Sequence, residues 1–218
     1  MTGLENVPLA GPEPAAAERL ARLAGLVRKW NPRINLVAAS TLGSLEERHI
    51  ADSAALWPLV PVHARGLADR GSGGGFPGLV LAVLAASRRP GLRIDLVESD
   101  ARKVAFLTVA RNDLGLDNTT IHHCRIEDCA PLGADVVTAR ALAPLGSLMR
   151  LAKRHLTPDG ICLFPKGRNW REEVEAARGE WHFSIDTHPA AVDGEGVILQ
   201  ITELARGRDD PRGNGRER

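Results

Sequence analysis

The sequence predicts an α/β protein: a mostly parallel, seven-stranded sheet covered by helices, with a helical extension in front and an antiparallel hairpin at the end. Three observations predict it. Between residues 61 and 165, short apolar runs alternate with helix-length stretches, the pattern of a parallel sheet with both faces covered. The first sixty residues carry helical periodicity and no strand pattern. Two final runs, 181–189 (WHFSIDTHP) and 196–204 (GVILQITEL), have no helix between them, and residues 190–196 are left to join them as a hairpin.

Taken in order, residues 1–14 form a leader punctuated by Pro and Gly, expected to be poorly ordered. Leu20, Leu23, Val27 and Trp30 recur at spacings of three and four, which puts them on one helix face. Core packing accounts for that stripe. Asn31-Pro32 is expected to end the helix, since a residue before proline is pushed out of the helical region. A second helix is expected over 44–60, with Ser44 as N-cap and Glu47 completing a capping box. The strands follow at 64–69, 93–98, 119–124, 134–139 and 160–165, with helices over 77–87, 101–114 and 144–155. Residues 205–218 (ARGRDDPRGNGRER) are almost without apolar side chains and predict a disordered tail. The organisation is thus a leader and helical extension (1–60), one α/β domain (61–204) and a tail. With 218 residues, the chain has ample length for its own core.

Composition excludes some functions. Twenty-eight Lys and Arg against 27 Asp and Glu leave +1, which rules out a wholesale basic coat for nucleic acid but not a local basic face. Three cysteines make no disulfide framework and fit a reducing compartment. The longest apolar run, 79–86, is far too short to cross a bilayer. No basic segment precedes an apolar core at the N-terminus, so no signal peptide is visible and a cytoplasmic location is expected.

The sharpest feature is the loop after the first strand, Asp69-Arg70-Gly71-Ser72-Gly73-Gly74-Gly75-Phe76-Pro77-Gly78. Glycines permit positive φ and close approach of a ligand, Pro77 suits a first helical turn, and the helix N-terminus offers free N–H groups. Two ligands fit. Gly73-x-Gly75-x-x-Gly78 matches the dinucleotide fingerprint, which would make the protein an NAD(P)-dependent oxidoreductase. Asp69-x-Gly71-x-Gly73-x-Gly75 matches the acidic glycine turn of S-adenosylmethionine (SAM) methyltransferases. Glu98, ending the second strand, is placed to accept two ribose hydroxyls in either case. Asp69 discriminates: a carboxylate sits poorly beside a pyrophosphate but well near a sulfonium and an amino group. The terminal hairpin also favours the methyltransferase reading.

GSGGGFPG resembles the first motif of the RsmG (GidB) family of 16S ribosomal RNA methyltransferases. Five further segments resemble that family in the same order: Trp30 to Leu36 (WNPRINL), Arg48 to Ser53 (RHIADS), Arg125 to Asp128 (RIED), Thr138 to Ala141 (TARA) and Lys166-Gly167. Together they span about residues 20–204. The resemblance implies the Rossmann-like methyltransferase fold, SAM as cofactor, and methyl transfer to N7 of one guanine, position 527 of the family's target, in 16S rRNA or the small ribosomal subunit. It places Phe76 and Arg140 at the cofactor, with Asp69, Gly71, Gly73 and Glu98. It also gives Ile126 and Glu127, after the third strand, the adenine and amino groups to meet. Taken by itself, Arg140 could equally be an RNA-phosphate contact. His49 and Asp52, read alone as a helix-surface pair, become site-facing with no role assigned. Arg70 departs from the pattern, standing where the family has an aliphatic residue; a non-catalytic RNA-binding module rests on that departure alone.

Guanine N7 carries an in-plane lone pair and no proton, so in-line positioning can supply most of the catalysis. No Asn/Asp-Pro-Pro-aromatic motif follows the fourth strand, and no cysteine sits in a Pro-Cys setting, as amino-group or pyrimidine-ring methylation would need. His122, His123, Cys124 and Cys129 do not make a zinc set, because adjacent strand residues point opposite ways. No metal is expected, no membrane partner, and a monomer. From 138 to 171 there are seven basic residues and one acid, so the rest of the chain carries about −5. That concentration predicts the RNA face. Lys166 and Arg168, after the fifth strand, are the phosphate-contact candidates, whereas Arg150, Lys153 and Arg154 read as a solvated helix face.

Overall fold

A computed structural model describes residues 13–140, 143–191 and 196–207. Seven strands form one sheet in the order β3-β2-β1-β4-β5-β7-β6. The strands are β1 (Gly66–Arg70), β2 (Arg93–Glu98), β3 (Thr119–His123), β4 (Ala134–Ala139), β5 (Leu156–Lys166), β6 (Trp181–Pro189) and β7 (Val197–Arg206). The first five run parallel, and β7 pairs antiparallel with both β5 and β6. The order reverses direction at β1 and β4, so their C-terminal ends open the crevice where such sheets hold ligands.

The helices are α1 (Pro14–Ile34), α2 (Asp52–Ala54), α3 (Gly78–Arg88), α4 (Ala101–Leu114), α5 (Leu145–His155) and α6 (Trp170–Arg178). Residues 79–85 of α3 are buried on every side, because α1 and α2 cover the face of α3 that the sheet does not. Helices that are apolar all round occur where both sides are covered. The stripe Leu20, Leu23 and Val27 lies in this core with Leu67, Leu79 and Leu96, so the helical extension and the sheet share one apolar interior. A second core beneath α5 and α6 joins Met149, Phe164, Trp181 and Leu199. In α4, Asp100 caps the first turn by accepting from the N–H groups of Arg102 and Lys103, and Gly115 ends it at φ 61°.

Several expectations are corrected. Helix α1 runs through Pro32 to Ile34. Pro32 has no N–H to donate to the preceding turn, and the helix end is secured by other bonds: Asn35 turns left-handed and donates to Asn31 O at 3.0 Å, while Asn31 Oδ1 accepts from Val37 N at 2.8 Å. The helix expected over 44–60 is instead a 3₁₀ turn (Ala39–Ser44), a wide π turn (Glu46–Ala51) and α2, and Ser44 caps nothing. Helix α6 was not among the expected elements, although Trp170, Val174 and Ala177 recur at helical spacing and pack into the second core. Ala205 and Arg206, expected to belong to a tail, belong to β7 instead; the rest of that expectation, 208–218, and residues 1–12 of the leader lie outside the described residues. Cys124 and Cys129 are joined in a disulfide, a five-residue clip rather than a framework, whereas Cys162 is a buried thiol. Among the described residues, no group of His, Cys, Asp and Glu could hold a metal, and no helix is long and apolar enough to cross a membrane.

Candidate functional site

Strand β1 delivers Asp69 and Arg70 to the crevice, and the chain then bends through three left-handed glycines, Gly71, Gly73 and Gly75 (φ 63°, 52° and 84°). Side chains at those angles are strained. Ser72 N donates to Val97 O at 3.1 Å and Gly75 N to Ser72 O at 2.6 Å, tying the bend to β2 and to itself. Glu98 stitches it further: Oε2 accepts from Gly73 N at 2.9 Å, and Oε1 accepts from Ser99 N and Asp100 N, both at 2.8 Å. The carboxylate expected to meet ribose is therefore first a clamp on the loop, with lone pairs left over for a ligand hydroxyl.

Asp69 is fully buried. Its Oδ2 accepts from Gly78 N at 3.2 Å, while Oδ1 has no hydrogen-bond partner. Burial pushes its carboxyl up to about 6 against the opposing pull of Ser72, the Gly78 N–H and the charge of Arg140. An unpartnered buried carboxylate oxygen at a bend of bare glycine backbone is a site short of a donor, and a cationic amino ligand would supply one. A Cβ at Gly73 would meet only Gly71 O, at 3.6 Å, so the ligand side of the bend is open. These residues fit SAM.

Phe76, 4% exposed, is the partition beyond the bend. Its ring centroid lies 5.2 Å from that of His49, and the Arg140 guanidinium sits 5.4 Å over the ring. Beyond His49 and Arg140, a cavity of about 340 Å³ is lined by Thr41, Arg48, His49, Asp52, Arg140 and Lys166, with Pro77, Pro165, Val197 and Ile198 as apolar walls. His49 Nε2 is hydrogen-bonded to Thr41 Oγ1 at 2.8 Å. Burial, aided by the charges of Arg140 and Arg48, lowers its imidazole to about 4, so it is neutral at pH 7. Arg140 feels the charges of Asp69 and Asp52. The structure thus brings His49, Asp52, Phe76 and Arg140 together, from segments up to ninety residues apart in sequence. Sequence reasoning missed Thr41 and the hairpin residues that complete the wall; nothing in their residue types signals them.

Ile126 and Glu127 sit in the turn between β3 and β4, clipped by the Cys124–Cys129 disulfide. Helix α5 holds this turn from below. His155 Nε2 is hydrogen-bonded to Ile126 O at 3.2 Å, and Arg154 Nη2 donates to Cys129 O at 3.0 Å. Arg154 is exposed, as expected of a solvated helix face, and its guanidinium also braces this turn. Arg70 is buried on this side too: Nη1 donates to Leu148 O at 3.1 Å, burial lowers its guanidinium to about 10, and Glu127 is among the charges that offset this.

Lys166 is tied more fully. Its ammonium donates to Glu173 Oε2 at 2.7 Å and Ala143 O at 3.0 Å, and the side chain is 6% exposed. Glu173 also accepts from Leu145 N at 3.0 Å. Lys166 lines the cavity and also locks α6 to the start of α5, with two of its three N–H donors committed to that tie. Arg168 lies two residues on, in the exposed loop that leads away from the cavity.

A family model described as rRNA small subunit methyltransferase G matches residues 16–195. A relative named ribosomal RNA small subunit methyltransferase G from Cereibacter sphaeroides is 49% identical over 187 residues, covering 86% of this chain and 89% of the relative. One of the same name from Rhodospirillum centenum is 47% identical over 196 residues, covering 90% and 86%. Among solved structures, a SAM-dependent methyltransferase from Aquifex aeolicus superposes with a TM-score of 0.58 at 12% identity, over 83% of this chain and 97% of that one. A methyltransferase from Geobacter sulfurreducens gives 0.55 at 14% identity, over 89% and 91%. Those two likenesses are of fold.

Proposed function

The chain belongs to the rRNA small subunit methyltransferase G (GidB) family, and from that premise we propose how its site works: it transfers the methyl group of SAM to N7 of one guanine in 16S rRNA. The observation that carries this reading is adjacency. The glycine bend runs directly into the 340 Å³ cavity: Pro77 lines it, Phe76 packs against two further lining residues, His49 and Arg140, and Arg140 also feels the charge of Asp69. A cofactor site on one side and a base-sized chamber on the other are what methyl transfer to a nucleobase requires.

On the cofactor side, the residues proposed to hold SAM are Asp69, Gly71, Gly73, Phe76, Glu98, Ile126, Glu127 and Arg140. Bound there, SAM supplies an electrophilic methyl group on a sulfonium sulfur. The chain's own task is to bind, orient and exclude water. Asp69 offers an ionic acceptor whose ionised form a cation would stabilise. Glu98 has lone pairs for ribose hydroxyls while fixing the bend. Guanine N7 has no proton to lose, so no side chain needs to act as a base, and none in the cavity is poised as one: His49 is neutral but already hydrogen-bonded to Thr41. Its neutrality matters for another reason, because methylation at N7 leaves the base cationic. Asp52 and Asp69 offset the charge of Arg140 beside it. A buried carboxylate at the bend does not suit the pyrophosphate of a dinucleotide, so the oxidoreductase reading is not retained.

The test is primer extension after m7G-specific cleavage of 16S rRNA, from cells with and without the gene. A single stop that disappears with the gene is expected. An unchanged cleavage pattern would overturn the reading. Applied to purified RNA and to small subunits, the same assay identifies the form of the substrate.

A further inference from the structure

We infer that Cys124 and Cys129 are a redox-active pair: joined, they fasten the turn that carries Ile126 and Glu127 to the cofactor, and as thiols they release it. SAM affinity then follows the thiol–disulfide balance of the surroundings. This rests on the proposed function, in that Ile126 and Glu127 contact SAM. The register of the sheet places the turn beside the glycine bend. His123 in β3 is the partner of Glu98 in β2, and its Nε2 is hydrogen-bonded to Ser99 O at 3.3 Å. Cys124 therefore starts the turn one residue beyond the strand position that flanks the Glu98 clamp. From the other direction, the charge of Glu127 is felt by Arg70, the chain neighbour of Asp69.

What the disulfide does there follows from its span. A disulfide stabilises a whole fold more the longer the loop it closes, and this one joins residues five apart. Backbone bonds already close the same turn, with Asp128 N and Cys129 N both donating to Arg125 O, at 3.0 and 3.1 Å. Helix α5 holds one side of it through His155 and Arg154. The fold has little need of a staple here, so the bond acts locally, fixing the ends of a segment in which Arg125, Glu127 and Asp128 are exposed. The two sulfurs differ in access: Cys124 is half-buried, whereas Cys129 is 5% exposed. Cys162 stays out of this chemistry, since it is fully buried in the second core and burial pushes its thiol up to about 12. In the reducing compartment expected for this chain, a disulfide is transient or redox-sensing rather than structural. The co-reactant is a small disulfide such as oxidised glutathione. The Cys124 thiolate attacks one of its sulfurs, forming a mixed disulfide and releasing one glutathione thiolate; the Cys129 thiolate then attacks the Cys124 sulfur and releases the second. Two protein thiols lose two electrons and two protons, and the small disulfide gains both as two thiols. A turn fixed in advance leaves less ordering for SAM to impose, so the oxidised form binds SAM more tightly.

The experiment equilibrates the full-length protein in reduced or in oxidised glutathione, removes the glutathione, counts thiols in denaturant and titrates each form with SAM by calorimetry. Thiol counts should be three for the reduced form and one for the oxidised form, with no glutathione retained by mass. The oxidised form should bind SAM about 3- to 10-fold more tightly, the scale of ordering one or two side chains ahead of binding. The Cys124→Ser/Cys129→Ser double variant should bind like the reduced form after either treatment. In the methylation assay, the two wild-type forms should differ in KM for SAM and not in kcat, a split that a general loss of structure does not give. A thiol count unchanged at three, a retained glutathione, or an oxidised form that binds SAM no more tightly than the reduced one overturns the inference. Failure of the underlying reading looks different: the thiol count changes as expected, but neither form binds SAM, or SAM is bound and no m7G is formed.

Discussion

The two sides of the Phe76 partition are built differently. The bend comes from one stretch of chain, 69–78, whose groups satisfy one another over short sequence distances: Gly75 with Ser72, Gly78 with Asp69, and Glu98 from the adjacent strand. The cavity is assembled from distant stretches, around 41–53, at 140, at 165–167, at 190 and at 196–198, which meet the bend at Pro77. The bend is also tight where the cavity is loose. A Cβ at Gly78 would fall 2.5 Å from Asp69 Oδ2, whereas one at Gly167 would meet nothing within 4 Å. A cofactor common to many enzymes can be held by a rigid local device, while a target base is met by a composite wall that distant segments can vary separately.

The largest effect should come from breaking the tight side. Gly78→Ala drives a methyl group into Asp69 and Leu96, an overpacking that costs typically about 1–3 kcal/mol and here displaces the cofactor-facing carboxylate as well. SAM binding should fall by about 100-fold or more, roughly 2.7 kcal/mol. Gly167→Ala, at the cavity, should change stability by less than about 0.5 kcal/mol. Denaturant unfolding and calorimetric titration of both variants check the contrast, and a Gly78→Ala protein that binds SAM normally would erase it.

Asp69 gives the next effect, through pH. Its folded-state carboxyl is raised to about 6 by burial, above its ordinary value near 4. The folded protein therefore holds a proton that the unfolded chain has released, and the ligand-free protein should lose stability as pH rises from about 4 to 6, by about 3 kcal/mol in total. His49 works the other way in the same window: its lowered pKa of about 4 means stability is lost as pH falls from its ordinary value near 6.5 towards 4. The two slopes oppose, so the wild type alone is uninformative and the difference from Asp69→Asn isolates the carboxylate. Melting temperature against pH should show that difference between 4 and 6. SAM affinity should rise with pH through about 6 in the wild type, as Asp69 ionises to meet the cation, and the Asn variant should lose that rise.

The third test strikes beneath the cavity. Breaking a buried ion pair by removing one partner costs about 3–5 kcal/mol, and less where one partner, here Glu173, is partly exposed. Lys166→Met and Glu173→Gln should each destabilise by about 1–3 kcal/mol, and the double variant by much less than the sum. SAM affinity should hardly move. Additive losses would mean that the two groups act separately.

How much of this was legible follows the same division. The strands over 93–98 and 134–139 and the helix over 101–114 stand where periodicity put them, because each is decided by its own residues. The bend was legible because glycine at positive φ is a local necessity. The tethers of Lys166 and Arg154 were not legible, for the opposite reason. A charge count along the chain weighs every cation alike, and nothing in the sequence says that Glu173 from the unannounced helix α6 returns to Lys166, or that Cys129 O lies within reach of Arg154. The single helix expected over 44–60 failed because a capping box is a local preference. The packing of Leu45, Ile50 and Leu56 into the core with Val27 and Leu79 bends that stretch through 3₁₀ and π turns instead. Those turns present Thr41, His49 and Asp52 to the cavity.

The smallest effect expected is the one that locates RNA. With Lys166 committed to Glu173 and Arg154 to the 124–129 turn, the basic segment has fewer cations to offer phosphate than its count suggests. Arg168 is exposed in the loop that leaves the cavity at Gly167, on the side from which a bound base must trail its backbone. Removing one phosphate contact should lower the slope of log K against log salt by about 0.7–0.9, leaving fold and SAM affinity unchanged. Arg168→Ala should do this. Arg150 is exposed on α5, where its Nη2 reaches only Ser147 Oγ at 3.5 Å, and its replacement should leave the slope as it was. Arg154→Ala separates the two sides of the partition once more. As a brace for the turn that carries Ile126 and Glu127, it should weaken SAM binding before it alters the salt dependence for RNA. RNA binding measured by filter retention across salt concentrations, beside calorimetry with SAM, distinguishes the three. If Arg150→Ala lowers the slope and Arg168→Ala does not, the RNA lies across α5, and the open side of the cavity is not where its backbone passes.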